Sequence, residues 1–387
     1  MIYSEYTLLV FLLALFSVSG FQYATPLQPS VKGSRTALSS RKGMQMAGER
    51  ILVIGGTRFS GLYLTKELFD RGYDVTLYNR GKTPIKAIPG ESEEDLQKRI
   101  AATKIIQGDR TNAEELTSKL SGEDFYAIYD MNGRELDDTK ALADLYKDKV
   151  EHFVYMSSAG VYLKSEIMPH MEGDAVDPTC RHKGKLHTEE YLAEIGLPYT
   201  SIRPTYIYGA GNYNPLEQYF FERIDQGRTL IVPGPGQHLT GLGHVKDLAA
   251  AMANVLGKEV AKGQIYNIQD VNAISFDGLV KACAVAAGKD PEDVEIHHYD
   301  PDMFDFGKKK AFPMRPQHFY TSVAKAMKDL EWEPKYNAAA GLKDAYENDF
   351  VHKKEAGTLI NDFESDDLVL EDDRIGNWNY PWSKDLS

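Results

Sequence analysis

The chain has 387 residues, 42% hydrophobic and 26% charged, a globular composition long enough for one large core or two modest ones. Two cysteines, Cys180 and Cys283, allow one disulfide at most and no Cys-x-x-Cys zinc pattern, which excludes a disulfide scaffold. Net charge is −13, and the first 48 residues contribute +3 of opposite sign, so the rest carries −16. That field repels nucleic acid and anionic membranes, so an anionic partner needs a local basic patch.

Tyr6 to Val18 is an apolar run followed by Ser19-Gly20. It is too short to span a bilayer comfortably and ends in small residues, which makes residues 1–20 an expected signal peptide. Residues 21–48 hold no acid, four bases and many hydroxyls, a transit-peptide composition. The pair resembles the bipartite plastid leaders of algae with secondary plastids, which implies the stroma of a complex plastid. An ordinary secreted protein is the alternative, and the cysteine usage argues against it.

Ile51–Ile54 is an apolar β-type run. Gly-Gly-Thr-Arg-Phe-Ser-Gly (55–61) follows, and Leu62–Arg71 has a helical pattern. Strand, glycine turn and helix N-terminus form the usual cradle for a pyrophosphate. Arg58 stands where the middle glycine of such a loop lets backbone approach the phosphates. Further strands are expected at Asp74–Tyr78, Lys104–Gln107, Ala127–Tyr129, Phe153–Met156 and Tyr199–Ile202, with helices between them, as at Asp137–Tyr146 and Lys185–Ile195. The alternation implies an α/β fold with a doubly wound parallel sheet.

After Pro204 the alternation loosens. A helix at His244–Leu256, a strand at Gln264–Ile268 and a helix at Phe276–Ala287 read as part of a smaller lobe, drawn mainly from 205–240 and 270–335. A last helix is expected at Gly341–Phe350, closing a main domain of 49–350. From 351 to 387 the chain is acidic, and a loosely docked tail is expected.

Strand two ends in Asn79-Arg80 with no acid, so a bound dinucleotide would be NADP rather than NAD, the 2′-phosphate meeting Arg80. The candidate cofactor residues are Gly55, Gly56, Thr57, Arg58, Phe59, Gly61, Asn79, Arg80 and Asp109. Together with Ser157-Ser158-Ala159-Gly160, Arg203-Pro204-Thr205-Tyr206, Gly243-His244-Val245-Lys246-Asp247 and the Lys325–Leu330, Trp332, Pro334 region, the glycine loop resembles the extended short-chain dehydrogenase/reductase family. Its members include epimerases and dehydratases of nucleotide sugars on a Rossmann fold. That chemistry needs a Ser or Thr, a Tyr and a Lys four residues beyond it. Ser158 and Lys185 match, but the tyrosine position holds Arg181, which cannot give up its proton. Tyrosine-dependent oxidoreduction is therefore expected to be lost.

Two basic runs replace it: Arg181-His182-Lys183-Gly184-Lys185, and Lys308-Lys309-Lys310 with Arg315. The second is interleaved with Phe304, Phe306, Phe312, His318, Phe319 and Tyr320. Cations bind phosphates and aromatics stack on unpaired bases. Arg181, Lys183, Lys185, Lys308, Lys309, Lys310 and Arg315 are thus candidate RNA contacts. His182 and His187 are candidates for cleavage chemistry by position only, and no ligand spacing identifies a metal site.

The strings Gly55–Gly61, Tyr155–Ser165, Asp174–Pro178, Arg181–Leu186, Gly243–Ala249 and Phe304–Pro313 resemble the chloroplast stem-loop-binding proteins of 41 kDa, b form. That resemblance implies a plastid RNA-binding protein with endoribonuclease activity aided by a divalent metal such as Mg. It further implies contact with plastid mRNA stem-loops, rRNA precursors, ribosomal particles and the transcription machinery, and assembly with itself or a paralogue. An NADP-dependent nucleotide-sugar enzyme and a non-catalytic NADP-sensing scaffold are the alternatives.

Overall fold

A computed structural model of the chain describes residues 48–214 and 216–372. The leader expected at 1–48 lies, apart from Gly48, outside them, as does the tail from 373. In chain order the strands are β1 (Arg50–Ile54), β2 (Asp74–Asn79), β3 (Lys104–Gln107), β4 (Ala127–Asp130), β5 (His152–Met156), β6 (Tyr199–Pro204), β7 (Tyr206–Tyr208), β8 (Leu230–Pro233), β9 (Leu239–His244), β10 (Gln264–Ile268), β11 (Ala273–Ser275) and β12 (Ile296–Tyr299). The helices are α1 (Phe59–Asp70), α2 (Glu93–Ala102), α3 (Ala113–Leu120), α4 (Leu136–Tyr146), α5 (Lys183–Glu194), α6 (Glu217–Asp225), α7 (Val245–Asn254), α8 (Phe276–Ala286), α9 (Ala324–Leu330), α10 (Ala338–Ala345), α11 (Val351–Glu355) and α12 (Glu364–Leu370).

Seven parallel strands form the main sheet in the order β10-β6-β5-β4-β1-β2-β3. A strand that is apolar at every position must be covered on both faces. β1 shows how. Ile51 and Val53 enter one core with Leu64 and Leu68 of α1 and Met252 of α7. Leu52 and Ile54 enter the other with Leu116 of α3, Leu142 of α4 and Leu192 of α5. The two-residue period of the strand deals its side chains alternately to the two layers.

One expectation is corrected here. Gln264–Ile268 does not belong to the smaller lobe; it is the seventh strand, pairing Gln264 with Thr200 and Ile268 with Pro204. Tyr266 and Ile268 are buried in the first core. α7 is the crossover that carries the chain to this edge, and it packs along α1.

The smaller lobe has its own core of Phe220, Phe221, Phe276, Val280, Phe312 and Phe350. The Gly-His-Val-Lys-Asp string fastens the lobe's C-terminal segment. His244 stacks on Tyr336 at 4.0 Å. The Asp247 carboxylate accepts the N–H groups of Lys335 and Tyr336, each at 2.9 Å.

The described part of the acidic tail is not loose. α10 runs on through Tyr346–Phe350 into α11, and α12 docks on the lobe. Val369 is fully buried, and Asp366, also buried, takes two bonds from Arg223 at 2.6 and 2.5 Å. Asp366 and Asp367 find cations 143 and 139 residues away, which a count of neighbouring charges cannot reveal. Among the described residues no helix is long and apolar enough to cross a membrane.

Candidate nucleic-acid interface and dinucleotide crevice

The glycine loop keeps the shape of a phosphate cradle. Gly55 has φ +88°, the left-handed region where glycine costs least. A Cβ on Gly61 would lie 2.0 Å from the Gly55 carbonyl, so only glycine lets α1 start this close to β1. Arg58 is the N-cap of α1 and makes no side-chain cap, which leaves the helix's first N–H groups for an anion. Its guanidinium turns aside onto the Tyr213 ring, 4.6 Å from the centroid. Phe59 follows at φ +37°, strained for a bulky residue.

At the end of β2 the Asn79 Oδ1 accepts the Gly81 N–H at 2.8 Å. Asn79 Nδ2 is buried with no hydrogen-bond partner among the described residues. Arg80 is exposed, and Asp109 accepts Thr111 N–H and O–H groups. The turn, the uncapped helix and the unpartnered amide fit the adenosine and phosphate half of a dinucleotide.

In the other half the polar side chains are engaged with one another. Arg110, paired with buried Asp130 at 2.6 Å, also holds the Asn132 Oδ1 at 2.5 Å. The Asn132 side chain then lies 3.0 Å from where a Gly55 Cβ would be. Lys185 Nζ donates to Met156 O at 2.6 Å and Gly133 O at 3.1 Å, tying the ends of β4 and β5 together. Burial lowers its pKa to about 8. Half-buried and committed to these two carbonyls, it is not offered to RNA.

Ser158 Oγ accepts the Gly160 N–H at 3.0 Å. Arg181 precedes the first residue of α5, so the four-residue spacing to Lys185 does not place both on one helical face. No tyrosine takes its place. Tyr155 donates to Gly133 O from full burial, and Tyr162 donates to Asn267, its pKa pushed up to about 12 by burial.

The two basic runs meet. A cavity of about 360 Å³ is lined by Arg181 from one run and by Lys309, Lys310 and Arg315 from the other, with Tyr206 and Phe306 in its walls. Gly160 shows how close they come: a Cβ there would lie 2.7 Å from His182 Cδ2 and 2.8 Å from Arg315 Nη2. His182 Nε2 accepts from Arg181 Nε at 3.0 Å. Burial first, then the charges of Arg181, Arg315, Lys185 and Arg134, lower the His182 pKa to about 4, so the ring is neutral at pH 7. Lys183, His187 and Lys308 are exposed, and Lys308 stands outside the cavity lining.

The aromatic residues differ from the expectation. Phe312 and Phe319 are buried: Phe312 belongs to the lobe's core, and Phe319 packs with Ala159 and Tyr162 beyond β5. His318 Nδ1 accepts the Leu239 N–H at 2.9 Å. Phe304 and Phe306 stack on each other at 5.8 Å, half-buried, and Phe306 alone of the six lines the cavity with a partly open ring. Alternation with lysines in sequence reflected packing, since aromatic side chains gain most from leaving water. Among the described residues no group of three or more His, Cys, Asp or Glu is placed to hold a metal ion.

The NAD dependent epimerase/dehydratase family model matches residues 51–268, and that of GDP-mannose 4,6 dehydratase matches 214–345. The chloroplast stem-loop binding protein of 41 kDa b from Arabidopsis thaliana is 50% identical over 326 residues, 83% of this chain and 84% of its own. The chain belongs to the NAD-dependent epimerase/dehydratase family and, within it, to the 41 kDa b-type stem-loop-binding proteins. A 3-beta-hydroxysteroid dehydrogenase of Mycolicibacterium neoaurum is 24% identical, covering 76% of this chain and 89% of its own. The dTDP-glucose 4,6-dehydratase of Bacillus anthracis, solved with NAD, superposes with a TM-score of 0.64 at 19% identity, covering 79% of this chain and 98% of that one. The UDP-glucose 4-epimerase of Thermotoga maritima gives 0.63 at 21%, covering 79% and 99%. At those identities the likeness to the solved structures concerns the fold.

Proposed function

We propose that this 41 kDa b-type family member is a plastid RNA-binding protein that grips stem-loops at the basic cavity. One observation carries the reading. Arg181 and the Lys309, Lys310, Arg315 group are about 130 residues apart in sequence yet line one cavity on a chain whose bulk charge is strongly negative. Convergence of that kind gives a local positive field where the global one repels. The stem-loop-binding name of the Arabidopsis relative supports the same reading.

Cleavage of the bound strand is the second part of the proposal. Attack by an RNA 2′-hydroxyl needs a base to take its proton and an acid to protonate the leaving oxygen. His182 is the candidate base. A pKa of about 4 makes it weak in the free protein, and a bound phosphate that offsets the neighbouring guanidinium charges would raise it toward the working pH. It is neutral at pH 7, half-buried beside guanidiniums that would hold the phosphate, and its Nε2 is freed when Arg181 turns to that phosphate. Exposed His187 has no such setting, and no cavity side chain is assigned as the acid. The substrates would be plastid mRNA stem-loops and rRNA precursors, in contact with ribosomal particles and the transcription machinery. NADP, held by the glycine loop, Asn79 and Arg80, would bind without being turned over.

Filter binding of a labelled RNA stem-loop tests the first part. Changing Arg181 and Arg315 to Ala should weaken binding and lower the salt slope by about one for each phosphate that is no longer neutralised. Unchanged affinity and slope would discard the cavity as the interface. Cleavage that survives His182→Ala would remove the histidine from the chemistry.

A further inference from the structure

The acidic segment that ends the described chain reaches the rim of this same cavity. Lys309 lines the cavity, and its Nζ donates to Asp362 Oδ2 at 3.1 Å and to Glu364. These acids lie 53 and 55 residues further along the chain. Just beyond them the segment is anchored. Asp366 and Arg223 form a pair with 0% and 5% side-chain exposure. Phe363 lies beneath the Arg223 and Arg228 guanidiniums at 5.3 and 4.6 Å. Val369 packs with Tyr299 and Ala311, and Phe306 packs against the same cluster. Tyr299, Ala311 and Phe306 all belong to the cavity wall.

We infer that Asp362 and Glu364 form an autoinhibitory latch that occupies Lys309 as RNA phosphate would. The inference rests on the cavity being the RNA site. The segment divides into an anchor and a latch. The anchor is buried, so breaking it strands a charge out of water and is strongly resisted. The latch is exposed: Lys309 is 46% accessible, Asp362 52% and Glu364 77%. Exposed pairs of this kind are weak and screened by salt. An RNA phosphate can therefore take Lys309 from the two carboxylates without unfolding α12. The latch sets a threshold: a strand must offer enough phosphates to displace it. An isolated anion meets a lysine already neutralised, whereas a stem-loop engaging Arg181, Lys310 and Arg315 together can do so.

The test uses the full chain after leader removal and a labelled synthetic RNA stem-loop in low salt. Asp362→Asn with Glu364→Gln should tighten binding about three- to tenfold, the scale of two exposed ion pairs, with the gain fading as salt rises. The melting temperature should fall by no more than a few degrees, because only the exposed pairs are lost and the anchor is intact. In a Lys309→Ala background the same pair should give no gain. Unchanged affinity in the double variant, or an equal gain without Lys309, would overturn the latch. If Arg181→Ala with Arg315→Ala leaves binding untouched while the double variant still tightens it, the cavity reading fails and the latch with it. A chain that binds through Arg181 and Arg315 but ignores Asp362 and Glu364 loses only the latch.

Discussion

The glycine loop and the basic cavity sit on the same fold but have been treated differently by it. The loop keeps its backbone: the left-handed Gly55, the close approach at Gly61 and the uncapped α1 are all present. What differs above it is the side chains: Arg181 stands four residues before Lys185, Lys185 ties two strand ends, and Asn132 lies against Gly55. The cavity shows the reverse. The four cations in its lining stand on irregular loop, yet they converge on one space. Backbone and side chains of one fold can thus vary independently, because the backbone supports the core and the side chains that line a crevice do not.

The largest expected effect tests whether the acidic tail belongs to the fold. Asp366→Ala leaves Arg223 buried and unpaired, which should destabilise the chain by about 3–5 kcal/mol. Thermal or denaturant unfolding would show it. A change under about 1 kcal/mol, the range of an exposed pair, would mean that α12 is a passenger on the lobe.

Next comes the cavity. Arg181→Ala with Arg315→Ala should weaken stem-loop binding by about ten- to a hundredfold, as removing two charge-assisted bonds to phosphate implies. The same variant should leave dinucleotide binding, read by fluorescence titration with NADPH, as it was. Equal weakening for both ligands would merge the two regions into one site.

A smaller effect separates the core from the cavity by pH. His152 is buried against Thr200, and burial lowers its pKa to about 4 from 6.5. The unfolded chain therefore takes up the proton first, so this residue costs stability as pH falls from about 6.5 toward 4. His182 carries the same shift from a different surrounding. Bound phosphate would offset the arginine charges and raise the His182 value, while leaving His152 where it is. Histidine NMR titration with and without RNA distinguishes the two, and parallel movement of both would argue against phosphate at the cavity.

The smallest expected effect is no gain at all. Arg181→Tyr restores the Tyr and Lys spacing of the oxidoreductases. It should produce no nicotinamide-dependent activity, because residue 181 precedes α5 and Lys185 is committed to two carbonyls. Measurable turnover of NADPH with a nucleotide sugar would show that the crevice retains more than its backbone.

Much of the architecture is legible in the sequence, for a physical reason. Continuous apolar runs such as Ile51–Ile54 fit only a sheet covered twice, and glycines at 55 and 61 mark a turn and a close approach. Local chemistry suffices for both. The loss of the tyrosine is legible for the same reason, since Arg181 is one residue at one position. The seventh strand is misplaced by sequence reasoning because Gln264–Ile268 has the same local pattern in either lobe, and only its pairing with β6 decides between them.

The site divides along that line. The sequence showed which residues carry charge, but not that Lys185 faces inward, that Phe312 and Phe319 serve the core, or that Arg223 waits for Asp366. Nothing local announces that pairing, since Arg223 has Glu222 beside it in sequence yet bonds Asp366. Composition, periodicity and single residues determined the sheet, the glycine turn and the absent proton carrier, because each acts over a few positions. Tertiary structure alone decided that two basic runs share one cavity and that the acidic tail reaches its rim. Those are meetings of segments far apart in sequence, and only tertiary packing brings them together.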